Sequence, residues 1–330
     1  MLDVAVLLLF HARPETFSRV FAEVKLARPS RLFLYQDGPR DDRDMGGVKK
    51  CRQIAEDIDW PCEVHRWYQE KNVGCDPSEY LSQRWAFSMA ERVIVLEDDV
   101  VPSQSFFTFC REMLERYADD ERVTMIAGFN TDEITTDTSY DYFFTSMFSI
   151  WGWASWRRVV ERWDETYGFV NDPEAMADIA GIARQRRYRK SMLPMFRRHA
   201  ASGKAYYETI FWSSMILNSG LAVMPAKNLV NNIGLTADST HFTATLQTMP
   251  RGLRRQFTMK RFELDFPLRH PRYVIDHVAY KDRYYRRNAF RHPLIKIRYS
   301  LEELWLNLLH GRFRNIGRSM LRRLKIWMGK

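Results

Sequence analysis

The chain has 330 residues, 45% of them hydrophobic and 28% charged, as expected of a soluble globular protein with a sizeable core. Its formal charge of +9 is not spread evenly: residues 281–330 hold 14 Lys/Arg against 3 Asp/Glu, leaving 36 basic and 38 acidic side chains elsewhere. That balance excludes a generally basic protein, and no segment approaches the roughly 20 apolar residues of a transmembrane helix.

The opening run "MLDVAVLLLF" is too short, and too acidic at Asp3, for a signal peptide, and reads as a buried strand over Val4–Phe10. Next, "PETFSRVFAEVKLAR" starts with Pro14 and spaces Phe17, Val20, Phe21 and Val24 as one face of a helix. "RLFLYQDGPR" predicts a second strand closed by the turn Asp37-Gly38-Pro39. A helix over Val48–Asp57, a strand over Cys62–Trp67 and a helix over Pro77–Glu91 follow. A fourth strand, Val93–Leu96, runs straight into Glu97, Asp98 and Asp99, and "RVTMIAGFN" adds another. Strands alternating with helices predict an α/β fold with a mostly parallel sheet, whose ligands bind at the carboxyl ends of the strands. His11–Arg13, Asp37–Arg40 and Glu97–Asp99 all fall at such ends.

The remaining chain carries the aromatic stretch "YDYFFTSMFSIWGWASWRRVVERWDETY", a basic helix, "YYETIFWSSMILNSGLAVMP" and "KNLVNNIGLTADSTHF". Prolines at 250, 267 and 271 suggest a boundary, giving a catalytic domain over 1–250 and a basic, partly helical extension over 251–330. Four cysteines, at 51, 62, 75 and 110, show no CxxC pair and no zinc spacing, so free thiols in a reducing compartment are expected.

Three adjacent carboxylates repel one another and call for a partner. A divalent cation is one solution, since hard oxygen donors suit Mg²⁺ or Mn²⁺. The plainer alternative is a solvated turn in which an acid caps the next helix near Ser103 or Ser105. His241, in "ADSTHF", is a candidate ligand with Asp238, Ser239 and Thr240 to orient its ring, although a lone histidine is more often structural.

Six blocks in order, "FHARPETFSRVF", "LYQDGPR", "EKNVGC", "VIVLEDDVVPSQSFF", "FSIWGWASWRRVVERWD" and "NLVNNIGLTADSTHF", resemble the GT-A-fold nucleotide-sugar glycosyltransferases, in particular bacterial proteins similar to N-acetylglucosaminyltransferase I. The resemblance spans about residues 4–245. It implies a GT-A sheet flanked by helices and a Mn²⁺ or Mg²⁺ cofactor. It also implies a metal site at Asp99 and His241, with Glu97 and Asp98 beside the ribose, the metal waters or the loop. It places Arg13 and Asp37 at the uracil and ribose of a UDP-sugar, and Asn72 and Gly74 in a loop that approaches the nucleotide or sugar.

Glu208 is the single acid of "AYYETIFWSSMIL" and is expected as the general base, its pKa raised by burial; Asp164 is a rival, and a carboxylate facing a helix dipole is the structural alternative. In "SIWGWASWRR", Trp151 and Trp153 would share a face if extended and one of them could stack on an acceptor sugar, with Gly152 between them allowing close approach. In the tail, Ile316, Met320, Leu324 and Trp327 oppose Arg314, Arg318, Arg322 and Lys325, a pattern suited to an anionic membrane surface or to a helix packed on the body. "IRYSLEELWLNLLHG" before it could dock on the body or lie at the same interface. No nucleic-acid motif accompanies this charge. Together these expectations describe an inverting transferase at the inner face of the cell membrane that moves a sugar from a UDP-sugar to a glycan or lipid-linked acceptor in surface polysaccharide synthesis. A non-catalytic membrane-binding protein and a nucleotide-sugar hydrolase are the alternatives.

Overall fold

Four parallel strands build one half of the sheet, three of them apolar runs and the fourth, at the edge, mixed in polarity. In the computed structural model, which describes residues 2–183, 186–235, 247–287, 293–313 and 315–317, these are β1 (Ala5–Phe10), β2 (Arg31–Gln36), β3 (Glu63–Tyr68) and β4 (Arg92–Glu97). The helices between them are α1 (Pro14–Ala27), α2 (Met45–Ala55) and α3 (Cys75–Met89). β1 pairs in parallel with β2 and β4, so Leu7 lies beside Phe33 on one side and Val95 on the other. Every residue of β1 is buried, because helices cover both faces of a parallel sheet. Phe17, Val20, Phe21 and Val24 form the buried face of α1, and Pro14 sits in its first turn, where its missing N–H costs nothing.

The second half adds β5 (Val100–Pro102), α4 (Gln104–Arg116), β6 (Val123–Ala127), β7 (Tyr142–Thr145) and β8 (Trp153–Trp156). Then come α5 (Arg157–Val160), α6 (Pro173–Ile182), α7 (Arg186–Ser202), α8 (Tyr207–Leu217), β9 (Leu221–Pro225) and β10 (Val230–Asn232). The chain continues through α9 (Arg251–Thr258), α10 (Val278–Arg287) and α11 (Pro293–Leu309). Among the described residues the main sheet has eight strands in the order β3-β2-β1-β4-β8-β6-β9-β7. β8 and β7 are antiparallel to their neighbours, and the other six strands share one direction. The fold is therefore α/β with a mixed, mostly parallel sheet, helices on its flanks and further helices toward the end of the chain. A separate ribbon pairs β5 with β10, which folds residues 230–234 back onto the acids that follow β4.

Contacts join the residues after Pro250 to the first half of the chain. Glu263 accepts from the backbone N–H groups of Gln104 and Ser105 (3.1 and 2.7 Å) and so caps α4, whose N-cap Ser103 makes no side-chain cap of its own. Arg261 pairs with Glu23 at 2.7 Å, and Arg283 reaches Asp132 at 2.8 Å and Asp137 at 2.7 Å. Residues 251–287 thus close over the sheet. The tail positions Arg314, Met320, Leu324, Trp327, Arg318, Arg322 and Lys325 lie outside the described residues. Among the described residues no helix is long and apolar enough to cross a membrane.

Candidate active site

Two cavities open side by side at the carboxyl ends of β1, β2 and β4. The first, about 570 Å³, is bounded by the loop after β1, the turn at Asp37, and Asn72 and Gly74. The second, about 420 Å³, is bounded by Asp99, Trp151, Glu208, Phe257 and Tyr284. Arg13, Cys75, Glu79 and Glu97 line both, so the two are halves of one cleft.

The polar half is held by short loops. The Asp37 carboxylate accepts from Gly38 N, Val73 N, Gly74 N and Asn72 Nδ2 at 2.7–3.1 Å, which fixes the 72–74 loop over the end of β2. Gly74 has φ +93°, a conformation that a side chain would strain, and it opens α3. Asp37 therefore organises the wall and has most of its acceptor capacity committed there.

The dividing wall is electrostatic. Arg13 donates to Asp98, which also accepts from the His11 backbone N–H at 3.2 Å, and Arg13 Nη2 lies 2.9 Å from Asp99 Oδ2. Burial disfavours the guanidinium charge, but the two aspartates more than offset this and hold Arg13 above its usual range. On the far side of Asp99, Asn232 Nδ2 approaches Oδ1 at 3.4 Å and Ile233 N donates to the Asp99 carbonyl at 2.8 Å. Gly234 packs so closely that a Cβ there would lie 1.9 Å from Asp99 Oδ2.

Burial pushes the Asp99 carboxyl up to about 6, against the pull of Arg13 and with the repulsion of Asp98. Glu97 is held well above the usual carboxylate range by burial and by repulsion from Asp99 and Glu208. Glu79 is raised likewise, by burial and then by Glu97 and Glu208. The second cavity thus gathers four acids, Glu79, Glu97, Asp99 and Glu208, around the single cation of Arg13, and a bound cation would favour their ionised forms. Glu97 and Asp99 offer hard oxygen donors that suit Mg²⁺ or Mn²⁺, ions that use one or two protein carboxylates and fill their shell with water and phosphate oxygens. Among the described residues no three His, Cys, Asp or Glu side chains converge on one point, and His241 lies outside them, as do Asp238, Ser239 and Thr240.

The aromatic half departs from the expected pattern. Trp151 lines the cavity, with ring centroids 4.6 Å from Phe129 and 5.2 Å from Phe257. Trp153, expected on the same face, is completely enclosed between Phe87, Phe211 and Trp163 and is a core residue. The reason is Gly152, whose φ of +64° breaks the extended alternation between the two indoles. Gly152 itself is not at the cavity: a Cβ there would meet Val230, Val100 and Leu96 at 3.0–3.5 Å. It lets the start of β8 pack closely on the β5–β10 ribbon, and its carbonyl accepts from Gly128 N at 2.8 Å.

Glu208 stands in the first turn of α8 on the cavity wall, exposed where burial was expected. Its charge repels Glu79 and Glu97 and helps to raise both. Asp164 instead closes its own turn, accepting from Thr166 N at 2.9 Å and Gly168 N at 2.7 Å. Glu79, Cys75, Phe257 and Tyr284 were not singled out from sequence. The signal for Glu79 was present, since Glu79, Gln83 and Ala86 are spaced i, i+4, i+7 along the buried face of α3.

No family model and no curated protein matches the chain. Solved structures similar to it include mouse xyloside xylosyltransferase 1 in its apo form, 11% identical over 65% of this chain and 82% of that one, with a TM-score of 0.36. HddC from Yersinia pseudotuberculosis is 10% identical over 48% of this chain and 79% of that one, with a TM-score of 0.32. The 4-diphosphocytidyl-2C-methyl-D-erythritol synthase of Anaerococcus prevotii is 10% identical over 48% and 74%, with a TM-score of 0.29.

Proposed function

We propose that this chain is a metal-dependent, inverting GT-A glycosyltransferase that moves a sugar from a UDP-sugar to a hydroxyl of a glycan or lipid-linked acceptor. The observation that carries the reading is the divided cleft: a polar, loop-walled half and an aromatic half with a carboxylate at its mouth meet at Arg13 and Glu97, with Asp99 on the aromatic side. The polar half takes the nucleoside against Asp37, Asn72 and Gly74. The aromatic half takes the acceptor, whose C–H faces suit the rings of Trp151 and Phe257.

In the reaction the bond between the anomeric carbon and the diphosphate oxygen breaks, and its electron pair leaves with UDP. The acceptor oxygen forms the new bond from the opposite face, and Glu208 takes its proton. The Glu208 carboxylate on the wall of the aromatic half is the acid placed for that role, and Glu79 and Glu97 beside it are held well above the usual carboxylate range. A divalent cation held at Asp99, with Glu97 and His241 as its further candidates, would supply Lewis-acid stabilisation of the departing diphosphate.

The test is calorimetry of UDP into the purified protein with and without Mn²⁺, repeated on Asp99→Ala. Metal-dependent binding that disappears in the variant supports the reading. Absence of binding by UDP, GDP, CMP and dTDP alike in a folded sample overturns it.

A further inference from the structure

Helix α11 is amphipathic in the reverse of the usual sense. At 100° per residue, Tyr299, Glu302 and Asn307 share one face, and that face meets the protein. Tyr299 Oη donates to the Arg287 carbonyl at 3.4 Å, Glu302 accepts from Arg251 N at 3.0 Å, and Asn307 is buried. The opposite face carries Leu294, Ile297, Leu301, Trp305 and Leu308, all exposed, the leucine at 301 by 61% and the tryptophan by 64%. A helix that ties its polar side to the body and turns a continuous apolar stripe outward leaves a large patch uncovered among the described residues.

We propose that this outward face of α11 seats the protein on an anionic lipid surface, independently of the reaction that the cleft performs. Charge decides the kind of partner. Arg298 borders the stripe and Lys296 is exposed on the same helix, within a stretch (281–330) that carries 14 basic and 3 acidic side chains. A second copy of the chain meeting this face would bring the same positive surplus against itself, whereas anionic headgroups neutralise it while the acyl region receives the leucines and the indole. The helix does not cross the bilayer: its 17 residues span about 25 Å, shorter than the hydrocarbon core, and its inner face is polar and anchored to α9.

The experiment is sedimentation of the full chain with vesicles of equal parts phosphatidylglycerol and phosphatidylcholine, against phosphatidylcholine alone. The expected result is binding to the mixed vesicles that weakens with salt. Leu301→Asp combined with Trp305→Asp should lower the partition by about tenfold or more, with the thermal melt unchanged because both side chains are exposed. Lys296→Glu with Arg298→Glu should remove most of the preference for anionic lipid. Unchanged vesicle binding by the Leu301/Trp305 variant overturns the proposal. So does a wild-type chain that ignores vesicles but forms a dimer dissociated by the same substitutions. Loss of vesicle binding leaves UDP binding in solution intact, which separates this test from that of the cleft.

Discussion

Arg13 Nη2 lies 2.9 Å from Asp99 Oδ2 while the same guanidinium donates to Asp98, so one cation holds two adjacent carboxylates at the centre of the cleft. Removing it leaves both acids beside Glu97 with no internal counter-charge. Arg13→Ala should cost about 2–3 kcal/mol of stability, the low side of breaking a buried ion pair, because the arginine is partly solvated. Mn²⁺ should raise the melting temperature of the variant more than that of the wild type. Urea unfolding with and without the metal checks both statements.

Gly234 tests the placement of Asp99 without changing its charge. A methyl group there would collide with the carboxylate, with Oδ2 at 1.9 Å and Cγ at 2.6 Å. Asp99 is confined on its other side by Arg13 and cannot yield freely. Gly234→Ala should therefore abolish metal-dependent UDP binding almost as fully as Asp99→Ala, measured by the same calorimetry.

Glu208→Gln should lower kcat by about 10²–10⁴, the usual contribution of a general base, with the dissociation constant for UDP unchanged. Asp164→Asn, by contrast, should leave kcat near that of the wild type, since Asp164 is spent on its own turn. Steady-state kinetics with the cognate donor and acceptor decide between the two acids.

Glu79 predicts a pH dependence. Its folded pKa is raised by burial and by Glu97 and Glu208, above an unfolded value near 4.3. Such a group contributes its full stability below the unfolded pKa and loses it as pH rises toward the folded one, because the unfolded chain gives up the proton first. The wild type should lose stability progressively above about pH 4 on this account. Glu79→Gln should match the wild type at low pH and exceed it at neutral pH, as read from urea midpoints across that range.

Much of the first half of the fold was legible because parallel strands buried on both faces must read as continuous apolar runs, and Val4–Phe10, "RLFLYQ" and "VIVL" do. The cleft followed from the rule that such sheets bind at their carboxyl ends, which groups Arg13, Asp37 and Glu97–Asp99. The two reversed strands were not legible. "YFFT" and "WASW" are short and aromatic, and nothing in their periodicity separates an inserted antiparallel strand from a loop or a helix. The Trp151–Trp153 pair failed for a local reason, since one positive φ at Gly152 sends successive indoles to opposite environments. Glu208 failed on burial alone, because an acid among aromatic residues can still stand at the exposed start of its helix.

The cap on α4 has a consequence for how the protein is made. Glu263 lies 158 residues downstream of Ser105, whose N–H group it receives. A ribosome adding about 5–20 residues per second therefore releases the first half of the sheet several seconds before the side chain that completes one of its helices. Until then α4 begins with unanswered donors, and the closing contacts of Arg261 and Arg283 are also missing. The emerging sheet must wait, partly open, for the end of its own synthesis.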